Sequence, residues 1–277
     1  MRRHVALLAA CALVAGCAGG GPDAEEVLSE TAAKLGELRS GTLHLDLRVE
    51  PRGGTGGEEF GFALDGPFSL GGSGPLPVAD VEYTQTVGDE SATVGIVSTG
   101  RNAYIRVVGR TYEMPPEQAQ QLRAAAGGLE ASRGLGRFAI DQWIEDPEVD
   151  DGGEVGGAET DRVQADLDVV AAVRDLLALA RQLGQDVPRL ADRDAERLAE
   201  SVRSSRFEVY TGKDDRLLRR LEIEVDFGLD VPRELREALG SLVGARILFE
   251  LGVDDPNRPV RVAEPEDALP ASELPQG

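Results

Sequence analysis

Apolar and polar residues alternate over most of this chain, and the phase of the alternation predicts its strands. Leu43, Leu45, Leu47 and Val49 share one face, while His44, Asp46 and Arg48 share the other, as in a half-buried strand. Phe60, Phe62 and Leu64 repeat the pattern, and Phe68 and Leu70 resume it after Gly66-Pro67, where the proline predicts a bulge or an edge. Further strands are expected at Val78–Val87, Ser91–Ser98, Asn102–Val108 and Thr111–Met114. The turns between them, at Gly88-Asp89, Gly100 and Gly109, are short enough to require antiparallel neighbours. Thr160–Leu167 alternates again. Three strands close the chain, at Arg206–Thr211, Arg216–Phe227 and Ala245–Val253, the first two joined by a hairpin turn at Gly212–Asp215. Ile223, Val225, Ile247 and Phe249 fall in one phase and are expected inside; Leu248 falls in the other.

Helical spacing appears between these runs. Val27, Leu28, Thr31, Leu35 and Leu38 line one side of a helix over Ala24–Leu38, with Glu25 and Glu26 where the dipole favours acids. Pro115-Pro116 opens a second helix through Ala131, with Ala119, Leu122, Ala126 and Leu129 inward. Phe138, Ile140, Trp143 and Ile144 form an apolar docking segment. Asp168 is placed to cap a third helix striped by Val169, Val173, Leu176, Leu177, Ala180 and Leu183. A shorter helix follows Pro188 at Asp192–Val202, and Pro232–Leu239 reads as a helical turn. Glu145–Glu154 reads as an acidic loop. Prolines at 256, 259, 265, 270 and 275 predict an extended, partly mobile tail. The fold class that results is α+β: a single domain with a curved antiparallel sheet, a half-barrel of about nine or more strands, and helices on its concave face.

The N-terminus decides the compartment. Arg2 and Arg3 precede an apolar run from Val5 to Val14, a secretory signal about half as long as the ~20 residues of a membrane span. Leu13-Val14-Ala15-Gly16-Cys17 then resembles a bacterial lipobox, with cleavage between Gly16 and Cys17 and lipid on the Cys17 thiol. The expected organisation is a signal peptide at 1–16, lipidated Cys17 and a Gly-rich tether to 23, the body at 24–262, and the Pro-rich tail at 263–277. The product is expected at the cell membrane, lipid-anchored on the extracytoplasmic side.

Composition removes several functions. The net charge is −21, and loss of Arg2 and Arg3 makes it two units more negative, which argues against nucleic acid. After cleavage Cys17 is the only cysteine and His44 the only histidine, so disulfides, Cys or His metal sites and protein-thiol catalysis are not expected. His44 sits on a polar strand face and reads as solvated. Thr211-Gly212-Lys213 lacks the glycine and hydroxyl of a P-loop and reads as a turn. Gly134–Ala139 spells GxGxxA, but in an antiparallel setting. Asp146, Glu148 and Asp150 imitate a calcium loop without its turn glycine or its last glutamate. Neither cofactor nor metal is expected.

A lipobox, a tether and a first helix leading into long amphipathic strands, with a helical insertion before the closing pair, resemble actinobacterial lipoproteins of the LppX/LprG type. These are related in fold to the LolA/LolB lipoprotein carriers. Segments such as Gly61–Leu70 and Gly153–Asp168 share that character. The resemblance implies a non-enzymatic envelope protein that binds or carries acyl lipid or glycolipid in an apolar cavity. It implies a palmitate-type anchor and leaves protein partners unnamed. Phase and face give the candidate lining as Leu43, Leu45, Leu47, Phe60, Phe62, Leu122, Leu176, Ile223 and Phe249. The alternative is a structural or protein-interaction lipoprotein with a fully packed core and no ligand.

Overall fold

A computed structural model describes residues 22–52, 58–70, 74–131, 140–182, 189–228 and 244–275. The expected signal peptide and lipobox with Gly16 and Cys17, the GxGxxA stretch, Phe138, Leu183 and the helical turn expected at Pro232–Leu239 lie outside these residues.

The eleven described strands form one antiparallel sheet. The chain winds outward from β1 (Ser40–Pro51) through β2 (Phe60–Ser69), β3 (Val78–Val87), β4 (Glu90–Thr99) and β5 (Ala103–Val107) to β6 (Arg110–Glu113). It then crosses to the far edge, with helix α2 (Pro116–Ala131) on the way. From β7 (Ile144–Val155) it winds back through β8 (Ala158–Leu167), β9 (Val202–Gly212) and β10 (Leu218–Phe227) to β11 (Ala245–Asp254), which pairs with β1. First and last strands therefore sit side by side at the centre.

The sheet is curled. Gly156, in the β7–β8 turn, comes so close to the end of β11, three strands away from β8, that a Cβ there would stand 2.9 Å from Asp254 Oδ1. Its φ of +58° and that of Gly157, +73°, fit a two-residue hairpin turn that matches the right-handed twist of its strands.

Helices α1 (Ala24–Lys34), α3 (Val169–Gln182) and α4 (Asp192–Ser201) belong to the β7–β11 half. Leu28 of α1, Val169 and Ala172 of α3 and Leu198 of α4 bury against Phe207, Val209, Leu218, Leu221 and Val225. Local chemistry sets the helix starts. Asp23 accepts the amides of Glu25 and Glu26, and the Asp168 carboxylate accepts the Ala171 amide at 2.9 Å, as its position predicted. Ile140 and Trp143 are buried in the same core, and the Trp143 indole donates to Asp175 of α3 at 2.9 Å. Thr31 and Thr211 are wholly buried and satisfy one another, hydroxyl to hydroxyl, at 2.6 Å.

Three expectations are corrected. Glu145–Glu154 is not a loop but most of edge strand β7, paired with β8 through two register shifts. Its Asp and Gly residues disfavour strands, which hid the signal; at an edge the acids point to solvent and oppose pairing with another chain. Pro67 makes neither bulge nor edge. Register on β3 continues from Asp65↔Glu82 to Phe68↔Ala79, the ladder skipping Gly66 and Pro67. There only glycine fits, since a Cβ on Gly66 would lie 2.2 Å from Asp80 O. The stripe of α3 is not buried throughout: Val169 is 6% exposed, Leu176 50%. The tail runs extended and is tied to the sheet. Asn257 bonds to Arg39 and Ser40, Glu264 to Asn102 and Tyr104, and Leu269 to the backbone of Thr111 and Glu113 at the β6 edge.

Candidate functional site: the apolar face of the open half

Cross-strand register assembles the apolar phases into rows. Ile223, Phe249, Leu47, Phe62 and Gln85 face one another in turn across β10, β11, β1, β2 and β3. A row on one side is Leu221, Leu251, Leu45, Leu64, Tyr83 and Val94; a row on the other is Val225, Ile247, Val49, Phe60 and Val87. None of these positions is charged. The sequence named Leu45, Leu47, Phe60, Phe62, Ile223 and Phe249 from these rows, and Leu43 from the same face. It missed Leu64, Tyr83 and Val94, although the alternation that marks them is equally clear.

Burial divides the face. Towards β9 it disappears beneath helices, with Phe207 and Val209 at 0% exposure. Leu43, Leu45, Ile223, Ile247 and Phe249 are half-buried at the border of that core. Leu47, Phe62, Leu64, Tyr83, Val94 and Ile96 are also only half-buried. Phe60 packs with Val49 and Ala245 in a separate small cluster. The rings of Phe62 and Tyr83 lean together with centroids 6.1 Å apart. Of the two candidates on helices, Leu122 is half-buried on α2 and Leu176 is exposed on α3. Val225 is buried, whereas its expected companions Ile223, Ile247 and Phe249 keep part of their surface. Leu248 lies on the opposite face, as its phase required, between Arg48 and Glu224.

That opposite face is a lattice of charges. Glu208, Glu222, Glu250 and Asp46 stand in one transverse row, relieved by Arg220 beside Glu222 and Glu250 and by Arg48, 2.7 Å from Asp46. A shallow recess of about 110 Å³ opens among Asp46, Arg48, Arg206, Glu222, Glu224 and Glu250, with Leu248 and the candidates Ile223 and Phe249 also in its lining. Its charged rim suits water better than an alkyl chain. Two acids of β7 are likewise engaged: Asp151 pairs with Lys213 at 2.9 Å and Asp150 with Arg162 at 3.4 Å. The Lys213 ammonium and the Gly153 amide hold the Asp151 carboxyl below its ordinary range. Among the described residues no group of three or more His, Cys, Asp or Glu side chains is arranged to hold a metal ion. Thr211-Gly212-Lys213 closes a hairpin.

This chain is similar in structure to LprF from Mycobacterium bovis. The two share 14% identity over 88% of this chain and 98% of that one, with a TM-score of 0.47. LppX from Mycobacterium tuberculosis aligns at 15% identity over 87% of this chain and the whole of that one, TM-score 0.42. A LolA superfamily protein from Nitrosomonas europaea aligns over 85% and 95% at 8% identity, TM-score 0.20. No family model matches the sequence, and no curated protein matches it.

Chemically, the face offers an extended, uncharged, partly accessible surface, with Tyr83 and Gln85 as its polar groups on β3. It can exclude water from alkyl chains, and the three rows supply no acid, base or strong nucleophile.

Proposed function

We propose that this protein is an envelope lipoprotein, anchored through acylated Cys17, that binds or carries acyl lipid or glycolipid against the apolar face of its open half. The observation that carries the reading is the set of uncharged rows across β10, β11, β1, β2 and β3, in which Ile223, Phe249, Leu47, Phe62, Leu64 and Tyr83 keep part of their surface exposed inside a curled sheet. Each CH₂ moved from water onto such a surface contributes ~0.8 kcal/mol, so a long chain gains enough to be held without polar contacts. Anchoring needs the same arithmetic: one acyl chain binds a bilayer marginally and two or more hold it. The excess of acids on the other face keeps the body from lying flat on anionic headgroups.

The test measures uptake of a fluorescent acyl lipid by the body without its anchor, residues 21–277. Extraction and mass spectrometry of co-purified lipid accompany it. Leu47→Asp places a charge in the middle row and should reduce uptake at least tenfold, while Leu248→Asp on the charged face leaves it intact. A folded body with neither saturable uptake nor bound lipid would leave the packed interaction module as the correct reading. Membrane release and loss of acyl label in Cys17→Ala test the anchor separately.

A further inference from the structure

His44 is not the free surface residue its phase suggested. Its ring lies between two carboxylates on different strands: Nδ1 meets Asp65 of β2, and Nε2 meets Asp254 of β11 at 3.2 Å. A neutral imidazole can donate to one of them; only the imidazolium donates to both. We propose that His44 is a proton-controlled latch, whose imidazolium ties β2 to β11 across β1 and fixes the point where the C-terminal strap leaves the sheet.

The surroundings define what the latch holds. Asp254 is the last residue of β11 and lies against Gly156 of the β7–β8 turn, which curls over from the far edge. Immediately after it the chain reverses through Asp255 and Asn257, both at positive φ, +48° and +63°. The strap then bonds to Ser40 and Arg39 and runs on to Glu264 and Leu269, where it covers the open edge of β6. One residue therefore joins the sheet centre, the hairpin tip and the root of the strap.

The charges around the ring favour the cation. On β1 its neighbour on the same face is Asp46; on β2 it faces Asp65, with Glu82 of β3 beyond. On β11 it faces Gly252, flanked by Glu250 and Asp254, and beyond Gly252 stands Arg220 of β10. Arg220 is the basic group of this set and is engaged by Glu222 and Glu250 at 3.4 and 3.5 Å. Partial burial alone would lower the histidine pKa, but hydrogen bonds and charge from Asp65 and Asp254 outweigh it and raise it. The sign follows. The latch is closed below the ordinary histidine value of 6.5 and opens as pH rises through the raised one. Loss of the proton leaves the ring one donor for two carboxylates and removes the positive charge that offset an acidic patch, so Asp254 is released and the strap loosens at its root.

The experiment uses the full lipidated chain in detergent micelles. Once His4 has left with the signal, selective labelling of histidine gives a single NMR resonance, that of His44. Its titration midpoint should lie above 6.5, and amide exchange over 255–275, corrected for intrinsic rates, should accelerate through that midpoint. Linkage sets the size, about tenfold in opening for each unit by which the latched midpoint exceeds the released one. His44→Gln should leave the strap open at all pH, and His44→Arg, a permanent cation, should keep it closed at all pH. A midpoint at or below 6.5, strap exchange indifferent to the titration, or pH dependence surviving in His44→Gln would each overturn the latch. None of these outcomes depends on whether the apolar face takes up lipid.

Discussion

Phe207 in β9 and Phe62 in β2 lie on the same apolar face of one sheet, yet Phe207 is at 0% exposure and Phe62 is only half-buried. The two halves share their alternation and their antiparallel register. They differ in what lies over them. In the β7–β11 half, α1, α3 and α4 bring Leu28, Val169, Ala172 and Leu198 onto the sheet, and the core closes. Over β1–β4 most side chains of the same kind of surface stay partly in contact with water, with Val49 and Val81 buried among them. A β-sheet face needs a partner to become a core, and the proposed lipid would be that partner for the half-exposed, uncharged face. The contrast teaches that alternation alone does not close a core; the helices laid over Phe207 and Val209 do.

Substitutions can break that comparison. Phe207→Ala should cost about 3–5 kcal/mol, the range for a large side chain removed from a closed core, and Phe62→Ala less than half as much. Urea denaturation of both variants checks this; equal losses would mean that the open half is as tightly covered as the other. Next in size, Phe249→Asp sets a carboxylate between Ile223 and Leu47 and should cost roughly 2–4 kcal/mol. Leu248→Asp, one residue away on the charged face, should cost clearly less in the same assay. If the two matched, the division into an apolar and a charged face would be wrong.

Smaller effects sharpen the picture. Thr31→Val removes the hydroxyl partner of Thr211 inside the covered half and should cost about 1 kcal/mol. The pH response contains a term from each half. Burial pushes the Asp215 carboxyl up, but hydrogen bonds from Arg219 and the Leu217 amide outweigh it and hold it below its ordinary value. Glu264, in the strap over the open half, is lowered by donation from Tyr104 and Asn102. Both groups contribute stability above the usual carboxylate range, and both lose it as pH falls through their depressed values. Glu264→Gln should therefore flatten part of the acid limb of melting temperature against pH, with the smallest effect of the set because Glu264 is exposed.

Much of this was legible in the chain itself. Strand phases, the Asp168 cap, the hairpin at Gly212–Asp215 and the span of α2 depend on residues a few positions apart, and local sequence encodes them. Three failures share one cause. β7 was hidden because an edge strand tolerates Asp and Gly that an interior strand rejects. His44 was misjudged because Asp65 and Asp254 are 21 and 210 residues away. Leu176 was placed inside because helical spacing marks an apolar stripe without saying how far the underlying sheet extends.

The sequence alone determined the two faces of the sheet, because side chains on a strand alternate with period two whatever its neighbours are. The resemblance of Leu13–Cys17 to a lipobox, on which the proposed anchor rests, is likewise written in consecutive residues. Only the tertiary structure decided that β11 pairs with β1, that the curl brings Gly156 to Asp254, and which half of the apolar face the helices cover. Alternation specifies which side of a strand faces inward but not which strand lies beside it, nor what is laid on top. Those choices rest on contacts between residues far apart in the chain, and folding selects them by the burial they achieve together.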